Sequence, residues 1–584
     1  MPRIELARNG AIALDLIEGR MPMMGIRLFL PALVRLFLPA LLLLLAPVTY
    51  AAAQAADAPA TAGQLANGRC EKLAGMEIPN AVITSAKSFA TGTYTAAEAN
   101  GGSEIAKYAN LLPGFCRVLA KATPSADSNI VIEIWLPLAG WNGKLQGTGN
   151  GGFAGSYDIP ELAAYMAKGY AAAATDTGHT GSPIDASWAL GHPEKVVDFG
   201  RRSIHEMTRV AKLVIAQFYA SAASHSYFIA CSDGGREALM EAERYPDDYD
   251  GILAGDPANN WTSLLTSAIT DTQALMATPA SFIPLKKIAT IAHAVLKQCD
   301  ALDGVTDGIL NDPRQCRFDP ATIECKNGED TDQCLTAAQV AALNTIYGGV
   351  KDERGRTIFP GYLPGAEEGP GGWGLWITGP APGHSLMEAF GNGYYSDMVY
   401  EKADWDLKTF SVEAGLRLAR QKTSSVLDSN DADLKPFYSR GGKLIIYHGW
   451  DDPAIPALSS VNYYQSVVDT LGQATTDSFA RLYMVPGMQH CEGGPGPDTF
   501  GQSPMWKPDP HYNARTALEL WVEKGTAPAA IIATKQVAGA QEAGSTPTAP
   551  VMTRPLCPFP QAAKYKGAGD TNAAENFVCA AEKK

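Results

Sequence analysis

Tyr227-Phe228-Ile229-Ala230-Cys231-Ser232-Asp233-Gly234-Gly235 runs from an apolar strand, through a serine, into the start of a helix. A serine hydroxyl is a weak nucleophile until a strained turn exposes it and a base takes its proton. Ala230 and Gly234 bracket Ser232 with small residues, giving the close backbone approach that a strand-to-helix nucleophile elbow needs. The first of the two is alanine where the elbow pattern has glycine, and short Ser-Gly runs after strands are common. What sets this stretch apart is Cys231 beside the serine and Cys491 beside His490 far downstream.

Working outward, apolar strands recur at crossover spacing. Ile130 to Leu136 alternates, Tyr170 to Ala174 is a strand of small residues, and Gly251 to Ala254 ends at Asp256. Helices are expected over Glu161 to Lys168, Val197 to Ala220 and Asn513 to Lys524. Strand, helix, strand, helix at this spacing reads as a parallel sheet with crossovers. From Asn259 to about Gly441 the alternation disappears. That segment carries Trp373, Trp376, Tyr394, Tyr395, Tyr400 and Trp405, and it is too long for a bare loop, so a lid domain over the site is expected. The alternation returns at Lys443 to Tyr447, a buried strand leading to Asp451-Asp452, and at Ala480 to Val485, which leads to His490.

The expected organisation is a signal peptide over 1–53, a first core part over 54–258, a lid over 259–440 and a second core part over 441–584. Arg27 precedes an apolar run whose stretch Leu36 to Val48 has the length of a signal-peptide h-region, with small residues suited to cleavage near Ala53. Met21, Met23 or Met24 would give a more ordinary start, and an uncleaved anchor is the alternative, although the run is short for a span. No membrane association is expected after cleavage, and the mature chain is expected to be secreted or periplasmic. The net charge of -14 over 584 residues argues against nucleic acid or anionic membrane surfaces as partners. The sequence carries no signal for an oligomeric state.

Ten cysteines in an exported chain favour disulfides over metal thiolates. Sequence leaves the pairing open, but proximity favours Cys70 with Cys116, Cys299 with Cys316, Cys325 with Cys334, and Cys557 with Cys579. Cys231 and Cys491 remain. If they pair, the bond staples the residue before Ser232 to the residue after His490.

The order serine, acid, histidine is that of the α/β-hydrolase triad, and both acid and histidine follow apolar strands, at whose carboxyl ends catalytic groups gather. Ser232 would attack a carbonyl, His490 would move the proton, and Asp452 would hold the imidazole; Asp451 is the rival acid. The backbone NH of Asp233, with Gly151 from the run Gly147 to Gly155, would receive the oxyanion. A surface loop is the plain alternative for that run, which lacks the Gly-Lys-Ser/Thr of a phosphate loop. His179 is a rival base, disfavoured because it precedes the serine and has no cysteine link. His205-Glu206 lacks the second histidine of a zinc-protease helix and reads as a packed pair.

Cys231-Ser232 with His490-Cys491, the His448-Gly449 turn before Asp452, and Trp141-Asn142-Gly143 leading into a glycine run together resemble the tannase and feruloyl esterase family, which includes the mono(2-hydroxyethyl) terephthalate hydrolases. The resemblance covers nearly the whole mature chain. It implies an α/β-hydrolase core with a lid, and hydrolysis of esters between an aromatic acid and an alcohol, with no organic cofactor. Ala230 departs from the family's usual glycine. Within Cys299 to Ile309, three aspartates interleaved with glycines offer hard oxygen ligands of the kind calcium prefers, although the spacing is not that of an EF-hand. The resemblance implies a structural lid calcium held by the side chains of Asp300, Asp303 and Asp307 and the carbonyls of Val305 and Ile309; an acidic turn without metal is the alternative.

The sequence therefore points to a serine esterase acting on small-molecule phenolic esters such as feruloyl or galloyl esters. A charged acyl carboxylate would want an arginine clamp, and none lies between Arg356 and Arg417, which favours neutral acyl groups over a terephthalate monoester. The reading from a different class is a catalytically silent module that binds aromatic ligands.

Overall fold

Alternate residues of the central strands face two different cores, which is what a sheet covered on both sides requires. In the strand before the serine, Phe228 packs into one core while Tyr227 and Ile229 pack into the other. In the strand before Asp452, Leu444 and Ile446 take the first side, Ile445 and Tyr447 the second. The computed structural model describes residues 68–95, 112–502, 508–536 and 550–581. The expected signal peptide over 1–53 lies outside them, and among the described residues no helix is long and apolar enough to cross a membrane.

Nine strands form the main sheet: Ala81–Phe89 (β1), Phe115–Ala122 (β2), Ile130–Pro137 (β3), Lys144–Thr148 (β4), Ala171–Thr175 (β5), His225–Cys231 (β6), Gly251–Gly255 (β7), Lys443–Gly449 (β8) and Ala480–Val485 (β9). Their spatial order is β1-β2-β3-β5-β4-β6-β7-β8-β9. The pairings from β5 through β4 to β9 are parallel, and β1, β2, β3 and β5 pair antiparallel. With helices between the parallel strands, this is an α/β-hydrolase sheet extended by an antiparallel edge. In register, Cys231 of β6 lies opposite Gly255 of β7, and Gly255 lies opposite Tyr447 of β8. The strands that lead to the serine and to the acid therefore end at the same level.

The helix expected from Val197 to Ala220 is interrupted. Pro193–Val197 is α-helical, Asp198–Arg202 widens into a π turn, and Ser203–Tyr219 resumes the α-helix, ending at Ala220 in the left-handed region. A π turn frees carbonyls from the helical ladder, and here those of Phe199 and Gly200 accept from the buried Arg236 guanidinium at 3.1 and 2.6 Å. The same Arg236 is paired with Asp233, so the turn anchors the first turn of the helix that follows the serine.

Residues 259–440 contribute no strand to the main sheet and fold mostly as helices, among them Trp261–Leu275, Leu285–Cys299 and Ala337–Gly348. Two apolar cores fill this segment, one around Trp261, Tyr394 and Tyr395, the other around Ile291, Leu343 and Trp373. The C-terminal tail forms two antiparallel strand pairs, Ile531–Lys535 with Met552–Leu556 and Gln561–Tyr565 with Phe577–Ala581. Five disulfides join Cys70 to Cys116, Cys231 to Cys491, Cys299 to Cys316, Cys325 to Cys334 and Cys557 to Cys579.

Candidate active site

Ser232 stands between the end of β6 and the helix Asp233–Arg244 with φ 68° and ψ -124°, a strained conformation for a residue with a side chain. The neighbours hold it there. Its NH donates to the Gly255 carbonyl at 3.0 Å, and its carbonyl accepts from Ala258 and Arg236 NH groups at 3.1 Å each. The turn leaves no room for side chains around it. A Cβ on Gly234 would lie 2.6 Å from the Ala230 methyl and 2.9 Å from the Asn150 carbonyl, and one on Gly149 would lie 2.7 Å from the same methyl. Ala230 is tolerated at the position where the elbow pattern has glycine because its methyl fills the space that Gly149 and Gly234 leave open.

His490 Nε2 lies 2.8 Å from Ser232 Oγ, and its Nδ1 lies 2.8 Å from Asp452 Oδ2. The carboxylate can only accept, so Nδ1 carries the hydrogen and Nε2 accepts from the hydroxyl. The other Asp452 oxygen, Oδ1, accepts from the NH groups of Ala454 and Ile455 at 2.7 and 3.0 Å. Burial opposes the charge on Asp452, but His490 and His448 outweigh it and hold the carboxyl below the usual range. For His490, burial pulls the ring down while Asp452, and further off Asp256, bring it above its ordinary value.

Asp451, the neighbouring acid, has the opposite fate. It is 1% exposed, its Oδ1 has no hydrogen-bond partner, and burial, then nearby Glu367, push its carboxyl well above the usual range. The two adjacent side chains thus differ in surroundings: Asp452 faces His490, while burial disfavours the charged form of Asp451.

The Gly147 to Gly155 run divides in two. Gly147 and Thr148 belong to β4, and the turn begins at Gly149. Asn150 is fixed from below: its NH donates to Glu237 Oε2 at 2.9 Å and its carbonyl accepts from Gly234 NH at 2.8 Å. This clamp ties the glycine turn to the helix after the serine. Gly151 is exposed, and a Cβ there would meet nothing within 4 Å. Asp233 NH sits in the first turn of its helix, where backbone donors have no intrahelical partner, and the Asp233 side chain is held by Arg236 at 2.6 Å.

Of the aromatics in 259–440, Trp376 reaches the site, its ring 5.0 Å from the His490 ring and edge-on to it. Trp376 stacks with Phe390 at 6.3 Å, and Phe390 borders Gly152 and Phe153. Trp373 is buried against Tyr347 and Tyr362, while Tyr394, Tyr395, Tyr400 and Trp405 pack on one another and on Phe410.

His179 stacks on Trp188 at 3.7 Å and bonds to the Phe153 carbonyl; burial lowers it to about 4. His205 bonds to Asp248 at 2.6 Å and stacks on Tyr245, while Glu206 pairs with Arg209, so the two are not partners of each other. In the acidic loop, Asp300 Oδ1 accepts from Asp307 and Gly308 NH groups, Asp303 Oδ1 from Val305 NH, and Asp307 Oδ1 from Ile309 NH. Asp307 Oδ2 also pairs with Arg554 of the tail at 2.8 Å. Burial, and then the negative charge of Asp307, raise the Asp303 carboxyl. Among the described residues, the side-chain oxygens of the three aspartates do not all lie within 4.8 Å of one another. Two residues absent from the expected site, Glu237 and Asp256, hold its backbone. Asp256 follows an apolar strand just as Asp452 does, and that position was the available signal.

Residues 116–580 match the family model described as tannase and feruloyl esterase. The chain is 37% identical over 544 residues to an uncharacterized esterase of Xanthomonas campestris, covering 88% of this chain and 91% of that one. It is 33% identical over 539 residues to the mono(2-hydroxyethyl) terephthalate hydrolase of Piscinibacter sakaiensis, covering 80% and 85%. The crystal structure of feruloyl esterase B from Aspergillus oryzae superposes with a TM-score of 0.78 at 28% identity, covering 88% of this chain and 99% of that one.

Two outcomes follow from the geometry. Gly234→Ala, which drives a methyl against Ala230 and the Asn150 backbone, is expected to cost about 1–3 kcal/mol in urea unfolding, and adding Ala230→Gly to recover part of it. A His490 that takes the Ser232 proton must first be neutral, so in that role it gives kcat/KM an acid limb above the ordinary histidine value of about 6.5; a limb below that value would contradict the raised imidazole.

Proposed function

The chain belongs to the tannase and feruloyl esterase family and is a carboxylic ester hydrolase; from that premise we propose that Ser232, His490 and Asp452 are its nucleophile, base and acid, and that it cleaves esters of neutral phenolic acids such as feruloyl or galloyl esters. The observation that carries this reading is the continuous hydrogen-bonded series Ser232 Oγ, His490 Nε2, His490 Nδ1, Asp452 Oδ2, each link 2.8 Å.

Ser232 Oγ attacks the ester carbonyl as His490 takes its proton, and the imidazolium that forms is stabilised by Asp452. The developing oxyanion is received by the NH groups of Asp233 and Gly151, a contribution of about 2.7–4 kcal/mol per donor in comparable sites. His490 then returns the proton to the leaving alcohol, which leaves an acyl-enzyme. A water activated by the same imidazole releases the acid. Trp376 beside His490 and Phe390 beside Gly152 form an uncharged aromatic wall beside the triad, and rings of this kind favour a planar aromatic acid.

Calcium is proposed for the Asp300 to Ile309 loop, held by the side chains of Asp300, Asp303 and Asp307 and the carbonyls of Val305 and Ile309. The loop supplies hard oxygen donors from three aspartates and turns at Gly304 and Gly308 with positive φ, and binding a cation would draw the three carboxylates closer together than they stand. When bound it would neutralise the loop and brace it against the tail, where Arg554 meets Asp307 and Asn311 donates to the Ala563 carbonyl at 2.7 Å. It takes no part in the reaction. Five disulfides accord with a secreted or periplasmic enzyme.

Ser232→Ala is expected to lower turnover of methyl ferulate by at least about 10⁴-fold with the fold intact; full activity would overturn the assignment. Wild-type rates should fall in the order methyl ferulate or methyl gallate above the terephthalate monoester, and the reverse order would move the acyl specificity to a charged acid. Chelation is expected to lower the melting temperature while leaving turnover at 25 °C within about twofold; loss of turnover with the fold intact would make the metal catalytic.

A further inference from the structure

Asp256 lies at the end of β7, between the strand that leads to the serine and the strand that leads to the acid, and it is 0% exposed with φ 36°. Its carboxylate grips both other parts of the site. Oδ1 accepts from Gly449 NH at 2.7 Å, at the end of the strand leading to Asp452. Oδ2 accepts from Cys491 NH at 3.1 Å, immediately after His490, and rests 3.3 Å from the Cys231 sulfur beside Ser232. Its own NH donates to the Tyr447 carbonyl at 2.9 Å.

A second histidine stands behind the triad. His448 is 0% exposed; its Nε2 lies 3.0 Å from the Ile455 carbonyl, 3.3 Å from Asp452 Oδ2 and 3.7 Å from Asp256 Oδ1, and its Nδ1 lies 2.7 Å from Ser460 Oγ. Three of the four groups are anionic or carbonyl acceptors, so Nε2 carries a hydrogen, which it donates to the Ile455 carbonyl, with the Asp452 and Asp256 carboxylates alongside.

We propose that Asp256 is a positioning residue for the hydrolytic reaction: it sets the His490 loop over Ser232 through Cys491 NH, and its charge, shared with His448, supports the imidazolium on His490 as the serine is deprotonated. The inference rests on the assignment of His490 as base. The titratable and charged groups that face Asp256 are His448, Asp452 and His490, with the Tyr447 phenol close by. Burial raises its carboxyl to about 6, against the pull of the two histidines, so the charge is present through the range in which the esterase reading needs His490 neutral.

The sign is fixed by electrostatics. A negative charge near an imidazole makes it hold its proton more tightly, so removing the Asp256 charge moves His490 down and the acid limb of kcat/KM to lower pH. A residue that only braces the fold would move the melting temperature and leave the limb in place.

The test is the pH profile of kcat and KM for methyl ferulate with Asp256→Asn, which keeps the shape and one acceptor but no charge. The expected result is a loss of about tenfold or more in kcat, KM changed little, and an acid limb shifted down by about half a unit. Asp256→Ser, which also removes the charge and keeps a small acceptor, is expected to give the same downward shift and is the variant read if the asparagine form fails to fold. An unshifted limb in the folded variant, with or without loss of rate, overturns the proposal. Fluorophosphonate labelling of Ser232 separates the two readings. If Ser232→Ala abolishes turnover and labelling while Asp256→Asn behaves as wild type, this inference alone fails. If Ser232→Ala remains active, the triad assignment fails first.

Discussion

Four neighbouring parallel strands each deliver one residue of the site from their carboxyl ends, and the sheet spacing makes this a geometric problem. Ser232 follows β6, Asp256 follows β7, Asp452 follows β8 and His490 lies beyond β9, the order in which the strands stand in the sheet. With strands about 4.8 Å apart, β6 and β9 are separated by about 14 Å, yet His490 lies 2.8 Å from Ser232. The loop after β9 must fold back across the ends of β8 and β7, and nothing in sheet geometry makes it do so. The Cys231–Cys491 bond, with its Cα atoms 6.0 Å apart, draws the far end of that loop to the elbow. The Asp256 carboxylate holds the same point from the strand between. A covalent tether and a buried hydrogen bond thus meet on one residue, Cys491, which adopts φ 64° to accept both.

The glycine-turn side is built on a different principle. Here the parts are close already, because β4 and β6 are paired neighbours, and the difficulty is crowding. Gly149, Ala230 and Gly234 meet within a space that admits one methyl, and that tightness allows Asn150 to be clamped between Gly234 NH and Glu237. Glu237 is fully buried, and burial followed by the charge of Asp233 raises it well above the usual range. The Asn150 clamp thus hangs on a side chain whose charged form burial disfavours.

Much of this was legible because strand ends announce themselves in sequence. The strands before Ser232, Asp452 and His490 are apolar and end in polar residues, and the two cysteines gave a reason to bring distant segments together. What sequence could not supply was direction. Asp451 and Asp452 are equivalent in pattern; the turn after β8 sends one toward His490 and buries the other near Glu367. β1 carries no alternating pattern because Ala81–Phe89 mixes Ser, Thr and Lys with alanine and buries only its two end residues. β4 was hidden in the glycine run, since Gly147 and Thr148 read as loop yet pair in the sheet. The π turn at Asp198–Arg202 has no helical-period signature; its Phe199 and Gly200 carbonyls accept from Arg236, a residue on another helix.

The inserted aromatics divide for a reason that composition does not reveal. A helical segment cut off from the sheet must bury its own apolar surface, and Tyr394, Tyr395 and Trp405 do so around Phe410. Trp373 does the same in the second core. Trp376, one turn beyond Trp373, lies where the two cores meet and contributes to both. Only partly buried, it keeps a ring edge beside His490. The segment thus reaches His490 through a side chain anchored in both of its cores. Its position over the site then depends on how firmly those cores are held, and the acidic loop beside Arg554 ties one of them to the C-terminal tail.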